Sequence, residues 1–360
     1  MGVTALQAQG LAGASVGEYR GATTVARFGD LEAELAALRA GCGVSDLGFR
    51  AKLSLTGGDR VRWLNGMVTN NIRDLATGHG LYAFLLNPQG RILGDLYAYN
   101  RGESIVIDTD RSQSEKILAT FDHYIIMDDV EVKDVTDEVS AVGISGPRGR
   151  EVLIAAGFAV AEIQPLQMQS VTWQSMECSL VCGEQGNWEI WVSSSGVRKL
   201  WDALLAAGAR PVGFEALEVH RIESGIPAYG IDIRDRDLPQ ETEQERALNF
   251  NKGCYIGQEI VERIRSRGAV HRKFTGFVLN GTVATGSKVV SNGKEVGEIT
   301  SIAELPIAGD KRIALGYIRR EVGTPGREVM VGSIGATVVQ LPLTQDASAN
   351  HESSLEQRPA

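Results

Sequence analysis

The chain has 360 residues, 43% of them apolar and 22% charged, with 42 glycines and a formal net charge of −9. That size allows two or three domains at roughly 150 residues each, and the acidic balance excludes a protein that holds nucleic acid by its overall charge. Four cysteines are too few for a disulfide framework in a chain this long, and no apolar run approaches the roughly 18 residues of a membrane span. Residues 1–20 lack a basic start followed by an apolar stretch, so no secretory signal is expected and the cytoplasm is the expected compartment.

Residues 1–20 are small and polar, and are expected to be disordered. Asp30 is placed to cap a helix from Leu31 to Ala40, where Leu31, Leu35 and Leu38 recur at helical spacing and Gly41 ends the run. Ala51–Thr56 alternates as a strand and Asp59–Asn65 reads as a helix. Two strands follow, Tyr82–Leu86 and Ile92–Tyr99, around the turn Asn87-Pro88-Gln89-Gly90. Ser104–Asp108 is a further strand and Asp110–Phe121 a helix.

A second mixed stretch runs through strands at Val130–Val135 and Val139–Ser145, a helix over Arg148–Ala156, extended chain at Gln167–Cys182 and Trp188–Val192, and helices over Gly196–Ala206 and Phe214–Glu223. From Thr275 the character changes to short β-rich runs between glycine turns, the spacing of a small barrel or sandwich. Beyond Thr344 the chain turns polar and no structure is expected.

The most informative stretch is Asn251-Lys252-Gly253-Cys254-Tyr255-Ile256-Gly257-Gln258-Glu259. Cys254 lies two residues after Lys252 and just before a helix expected to begin at Gly257 or Gln258. An adjacent ammonium and a helix N-terminus both stabilise a thiolate, the reactive form of cysteine. Cys254 and Lys252 are therefore candidate catalytic residues, with a structural cysteine before an ordinary helix as the plain alternative. Glu259, if close to the sulfur, would oppose its ionisation.

Cys178 and Cys182 would share one face of a strand, but zinc sites want four ligands at recognisable spacing and no partner pair is present. They read as core, and no metal site is expected. Between Arg263 and Lys273 the chain holds Arg263, Arg265, Arg267, His271, Arg272 and Lys273 with no acid. Such an island suits a local polyanion or, equally, a solvated loop.

The stretch Lys252–Glu259 resembles the signature of the YgfZ family, folate-binding relatives of the glycine-cleavage T-protein. The likeness continues through Gly43–Leu47, Leu64–Asn71, Leu81–Gly90, Arg221–Gly225 and Ile313–Ile318, in the family's order over most of the chain. The resemblance implies an α+β, T-protein-like fold: two interleaved α+β units around a central cavity, plus a C-terminal β-barrel. In this sequence the folate-binding region would span 21–270, with a subdomain boundary near 125–135; the barrel would span 271–343, and 344–360 would be a disordered tail.

The resemblance further implies tetrahydrofolate, or a one-carbon derivative of it, as cofactor. A pterin ring presents an N–H beside an amino group, an edge that a carboxylate answers with two acceptor oxygens. Glu223, in Arg221-Ile222-Glu223-Ser224-Gly225, is similar to the T-protein glutamate that holds the pterin, with Arg221 beside it as a further cofactor-binding candidate. Tyr82 and Tyr229 match family tyrosines and would add aromatic faces and hydroxyls, and Gln258 would bond backbone or ligand across its turn. T-proteins carry two acids in the stretch corresponding to Gly90–Leu96, one of which orients the reactive folate nitrogen. This chain has Gly94 followed by Asp95, so Asp95 is the catalytic candidate there.

The function implied is a tetrahydrofolate-binding accessory protein that supports assembly or maintenance of iron–sulfur enzymes, including tRNA-modifying ones, through Cys254. A single cysteine cannot ligate a cluster alone. The alternative is a folate-dependent aminomethyl- or methyltransferase of the T-protein type, and a third reading is a scaffold that keeps the fold only to bind partners. Expected partners are folate, iron–sulfur enzymes or their assembly factors, and tRNA through Arg263, Arg265, Arg267, Arg272 and Lys273, with no membrane.

Overall fold

A computed structural model describes residues 2–11, 13–268, 270–303 and 311–342. The chain divides into two compact units, one of residues up to Leu217 with Gln244–Arg263, the other of Glu218–Glu243 with the chain from Ile264 onward. The segment Glu218–Glu243 thus groups with the barrel strands, not with the residues before 271 as its sequence position suggests.

In the first unit, five antiparallel strands form one sheet in the order Gly80–Leu86, Ile92–Asn100, Ile105–Asp110, Arg50–Thr56 and Glu131–Asp134. Successive side chains on a strand point to opposite faces, and these strands sort their residues accordingly. Leu53, Leu55, Ala83, Leu85, Leu96, Ala98, Ile105 and Ile107 pack with Trp63 and Leu64 of the helix Arg60–Met67 and with Ile117 and Phe121 of the helix Arg111–Tyr124. The register Tyr82↔Tyr97, Phe84↔Asp95, Tyr97↔Asp108, Lys52↔Asp108 and Arg50↔Asp110 puts an aromatic and charged set on the other face.

A second sheet of the same unit has six strands: Met168–Trp173, Met176–Cys182, Trp188–Ser193, Val139–Ser145, Gly43–Asp46 and Arg210–Val212. Its apolar face buries Cys178 and Cys182 with Trp188, Ile190 and Trp201, as their shared-face spacing requires. Its other face sends Ala141, Val181 and Trp191 to meet Tyr99 and Val106 of the first sheet. The polar face of the first sheet is therefore covered by Glu189 and Trp191 of the second.

The stretch 1–20, expected to be disordered, contains the strands Gly2–Val3 and Ser15–Tyr19 and a short helix Ala5–Ala8. The reason is anchoring at two points that composition hides. Leu6 is fully buried in the core of the six-stranded sheet, and the buried Thr4 hydroxyl donates to Asp46.

In the second unit, six antiparallel strands close into a barrel: Arg272–Leu279, Arg312–Arg319, Lys294–Ile302, Lys288–Ser291, Glu328–Val331 and Ile334–Val339. Closure follows because Arg272–Leu279 pairs with both Arg312–Arg319 and Ile334–Val339. The tail expected from 344 lies outside the described residues. Among the described residues no helix is long and apolar enough to cross a membrane.

Candidate functional site

The site candidates separate by unit. Tyr82, Asp95, Lys252, Cys254 and Gln258 belong to the first, and Arg221, Glu223 and Tyr229 to the second.

On the polar face of the five-stranded sheet, the Tyr82 hydroxyl donates to Asp95 Oδ2 at 2.7 Å and Gln113 Nε2 donates to Oδ1 at 2.8 Å. The backbone of Asp95 is fixed too, its N–H to Gln113 Oε1 and its carbonyl to Thr109 Oγ1. Burial raises the Asp95 pKa above the ordinary carboxylate value, and the nearby Asp110 adds to the effect. Burial likewise pushes the Tyr82 phenol well up, with the Asp95 charge reinforcing it.

Gly94 and Asp95 lie on opposite faces of their strand. A Cβ at residue 94 would lie 3.1 Å from Gln113 Oε1 and 3.4 Å from Ile117, on the helix-packed side of the strand. Asp95 is on the aromatic face.

Beneath Tyr97 lies a compact charge cluster. Arg50 bonds both oxygens of Asp108, at 3.2 and 2.9 Å, and Asp110 at 2.6 Å, while Lys52, 1% exposed, donates to Asp108 at 2.7 Å. Burial pushes Asp108 up, yet Arg50 and Lys52 hold it below the ordinary value. The Lys52 ammonium also stands 4.6 Å from the Trp191 ring centroid.

Glu189 was missed in the sequence. Its Oε2 accepts from the Trp191 indole at 2.9 Å, and Oε1 has no hydrogen-bond partner among the described residues. Burial, then Asp108, raises its pKa. The available signal was a lone carboxylate inside the apolar strand Trp188–Ser193, between two tryptophans. A charge in a strand that is otherwise buried needs a reason.

Arg246 was missed as well. Its guanidinium lies 4.3 Å from the Tyr82 ring centroid, pairs with Glu184, and reaches the Tyr97 hydroxyl at 3.4 Å.

The Cys254 motif docks on the end of the helix Arg60–Met67 and the residues just after it, and on the turn after the strand Gly80–Leu86. Gly257, at φ +81°, lies so close to that turn that a Cβ would come within 2.6 Å of the Asn87 carbonyl oxygen. Ile256 N–H donates to Gly66 O, and the helix Gln258–Arg267 begins at once. Cys254 is exposed, and its sulfur has no hydrogen-bond partner among the described residues.

Lys252 does not serve the thiol as expected. It is buried, and its Nζ donates to the carbonyls of Asn65, Val68 and Asn70 at 2.5–2.7 Å, capping the end of the helix Arg60–Met67. Burial pulls its pKa down to about 7, with Arg73 adding to the effect. Three acceptors match the three N–H groups of an ammonium, the form the side chain holds below that value. Its charge is spent on helix-end carbonyls, which is also why a lysine is wanted there.

In the second unit, Arg221 is committed to a network: Glu218 at 2.8 Å, Asp232 at 2.7 Å, the Ile226 carbonyl at 2.6 Å and Ser301 at 3.1 Å. Asp232, fully buried, also accepts from Thr300, Ser301 and the Ala228 N–H. Tyr229 donates to Asp235, and the half-buried Glu223 ends the helix Phe214–Glu223.

The basic island is smaller than its sequence suggests. Arg272 bonds Glu241 and Asp237 and lies 4.6 Å from the Tyr317 ring centroid, so it is not presented to a polyanion. Arg263, Arg265 and Arg267 are exposed on the helix Gln258–Arg267. No group of three or more metal-ligating side chains occurs among the described residues.

An α+β unit with a polar, aromatic layer between two sheets, together with a closed six-stranded barrel, is a T-protein-like fold. The chain belongs to the glycine cleavage T-protein family: the family model for the GCVT N-terminal domain matches residues 5–252, and that for the T-protein C-terminal barrel domain matches 272–345. It is 28% identical over 353 residues to an aminomethyltransferase of Geobacillus kaustophilus, covering 93% of this chain and 96% of that one. A putative chloroplastic transferase of Arabidopsis thaliana is 26% identical over 324 residues, covering 88% of this chain and 75% of that one. The crystal structure of the glycine cleavage system aminomethyltransferase T of Bartonella henselae superposes with a TM-score of 0.86 at 21% identity, covering 95% and 98% of the two chains. At that identity the likeness establishes the fold alone.

Proposed function

We propose that the chain is a tetrahydrofolate-dependent one-carbon transferase of the aminomethyltransferase kind. One observation carries the reading: Asp95 stands on the aromatic face with its two oxygens fixed by Tyr82 and Gln113. The family points to tetrahydrofolate as the ligand, and the residues present fit it. Glu189 offers an unpartnered Oε1 beside an Oε2 held only by the neighbouring Trp191, and Tyr97, Tyr99 and Trp191 supply flat faces in the same layer.

Tetrahydrofolate, when bound, supplies the nitrogens that carry a one-carbon unit. The rest falls to the chain. Glu189 would accept from a donor–donor edge, the rings would exclude water, and Asp95 would take or return a proton at a carboxylate oxygen. Its raised pKa brings that exchange nearer neutral pH.

The test is titration with tetrahydrofolate of the wild type beside Glu189→Gln and Glu223→Ala, with Asp95→Asn assayed for one-carbon transfer. The reading expects Glu189→Gln to lose binding, Glu223→Ala to keep it, and Asp95→Asn to bind without transferring. No binding by the wild type would sink it. Loss only in Glu223→Ala would move the pterin site to the second unit.

A second reading is favoured by the exposure of Cys254 on the motif that resembles the YgfZ signature. Here the chain would be a tetrahydrofolate-binding accessory protein for iron–sulfur enzymes, with the exposed Arg263, Arg265 and Arg267 meeting a tRNA or protein partner. Cys254→Ser separates the two. It leaves transfer intact under the first reading and abolishes support of iron–sulfur enzyme activity under the second.

A further inference from the structure

Arg246 is held from behind and partnered in front. Asn70 Nδ2 donates to its carbonyl at 2.9 Å, and Thr69 Oγ1 donates to the carbonyl of the fully buried Ala247 at 2.6 Å. The guanidinium is stacked on Tyr82, whose hydroxyl holds Asp95. In front, the pairing carboxylate belongs to Glu184, on the turn between Met176–Cys182 and Trp188–Ser193. The same carboxylate accepts from the Tyr97 hydroxyl at 2.9 Å.

Two donors, one cationic and one neutral, thus converge on a carboxylate beside the candidate acid. The side chains of Arg246 and Glu184 are 34% and 24% exposed, so water reaches both. A half-exposed ion pair of this kind contributes only about 0–1 kcal/mol. Arg50, in contrast, is only 14% exposed and holds the buried Asp108 and Asp110, so it has nothing to exchange.

We infer that Arg246, with Tyr97, is the carboxylate-recognition site for the ligand, and that Glu184 is an internal stand-in displaced by the glutamyl carboxylate of a folate. The inference rests on the folate reading above. A carboxylate tethered to a docked ring arrives at high effective concentration, whereas Glu184 leaves with little loss because water can solvate it. Glu184 therefore competes with the ligand, and removing it should tighten binding. An ion pair of purely structural value would not behave so.

The experiment compares tetrahydrofolate with its glutamyl diamide, which keeps every ring and loses both charges, on the wild type, Arg246→Gln and Glu184→Gln. Arg246→Gln is expected to weaken tetrahydrofolate by about tenfold to a hundredfold, the range for a hydrogen bond to a charged group, and to leave the diamide unchanged. Glu184→Gln is expected to tighten tetrahydrofolate severalfold and again leave the diamide unchanged. Equal weakening of both ligands in Arg246→Gln, or weaker tetrahydrofolate binding in Glu184→Gln, would overturn the inference while leaving the folate reading intact. Failure of the wild type to bind either ligand would overturn both.

Discussion

Tyr82 and Asp95 meet from neighbouring strands, the phenol donating to the carboxylate at 2.7 Å. Tyr82 pairs with Tyr97 in the sheet register and Asp95 with Phe84, so the two polar side chains share one face on a diagonal. The bond favours the ionised carboxylate, whereas burial favours the acid. Which of the two prevails sets the pH at which Asp95 changes charge.

Tyr82→Phe keeps the ring and its contact with Arg246 and removes only the donor. A hydrogen bond to a charged group contributes about 1.5–3 kcal/mol, so a stability loss of that order is expected in urea unfolding. Asp95, already raised by burial, should rise further without the phenol. If transfer needs Asp95 ionised, the acidic limb of the pH–rate profile moves to higher pH. An unmoved limb would mean that Asp95 does not govern the rate.

Lys252 links the Cys254 motif to the end of the helix Arg60–Met67 through three carbonyls. Lys252→Met strands those acceptors, and a loss of about 2–4 kcal/mol is expected. The pH dependence has a definite sign. A lysine lowered to about 7 in the fold from 10.5 binds its proton more readily when unfolded, so wild-type stability should rise between those values. That gain is lost as pH falls through the folded value. Unfolding curves at pH 7 and pH 10 test it: Lys252→Met should lack the Lys252 contribution to the rise.

The elements were largely legible in the sequence because their signals are local. The helix Leu31–Ala40 matches its expected bounds because Asp30 caps it, accepting from the Ala33 N–H at 3.1 Å, and Gly41 ends it. The strand Val139–Ser145 and the helix Phe214–Glu223 likewise match. The partners of charged residues were not legible, because they arrive from far along the chain. Lys252 is answered by carbonyls at 65, 68 and 70, and Arg272 by acids at 237 and 241. Glu189 stands against Lys52 and Asp108 only once two sheets face each other. A run of like charges, or a lysine near a thiol, says nothing about what folding brings opposite it.

Asp232 is the hub of the Arg221 network, fully buried and accepting from Arg221, Thr300, Ser301 and the Ala228 N–H. Asp232→Ala would take from the buried Arg221 guanidinium one of its two carboxylates, leaving Glu218, and breaking a buried pair costs about 3–5 kcal/mol. Thermal unfolding of the variant is expected to show that loss. A near-normal transition would mean that Glu218 alone suffices for Arg221.

The two glycines flanking Cys254 should respond oppositely to the same change. Gly257 has φ +81°, a conformation costly for any L side chain, and an added Cβ would come within 2.6 Å of the Asn87 carbonyl oxygen. Backbone oxygen cannot swing aside as a side chain can, so the turn or the start of the helix Gln258–Arg267 must shift. Gly257→Ala is expected to cost about 2–4 kcal/mol, from left-handed strain together with overpacking. Gly253 has no such φ, and nothing lies within 4 Å of its added Cβ. Gly253→Ala should therefore stay within about 0.5 kcal/mol of wild type, although it is the nearer of the two to Cys254 in sequence. Urea unfolding of both variants decides whether the motif's glycines serve packing. A large loss at residue 253 with little at 257 would reverse the assignment and place the structural demand beside the thiol itself.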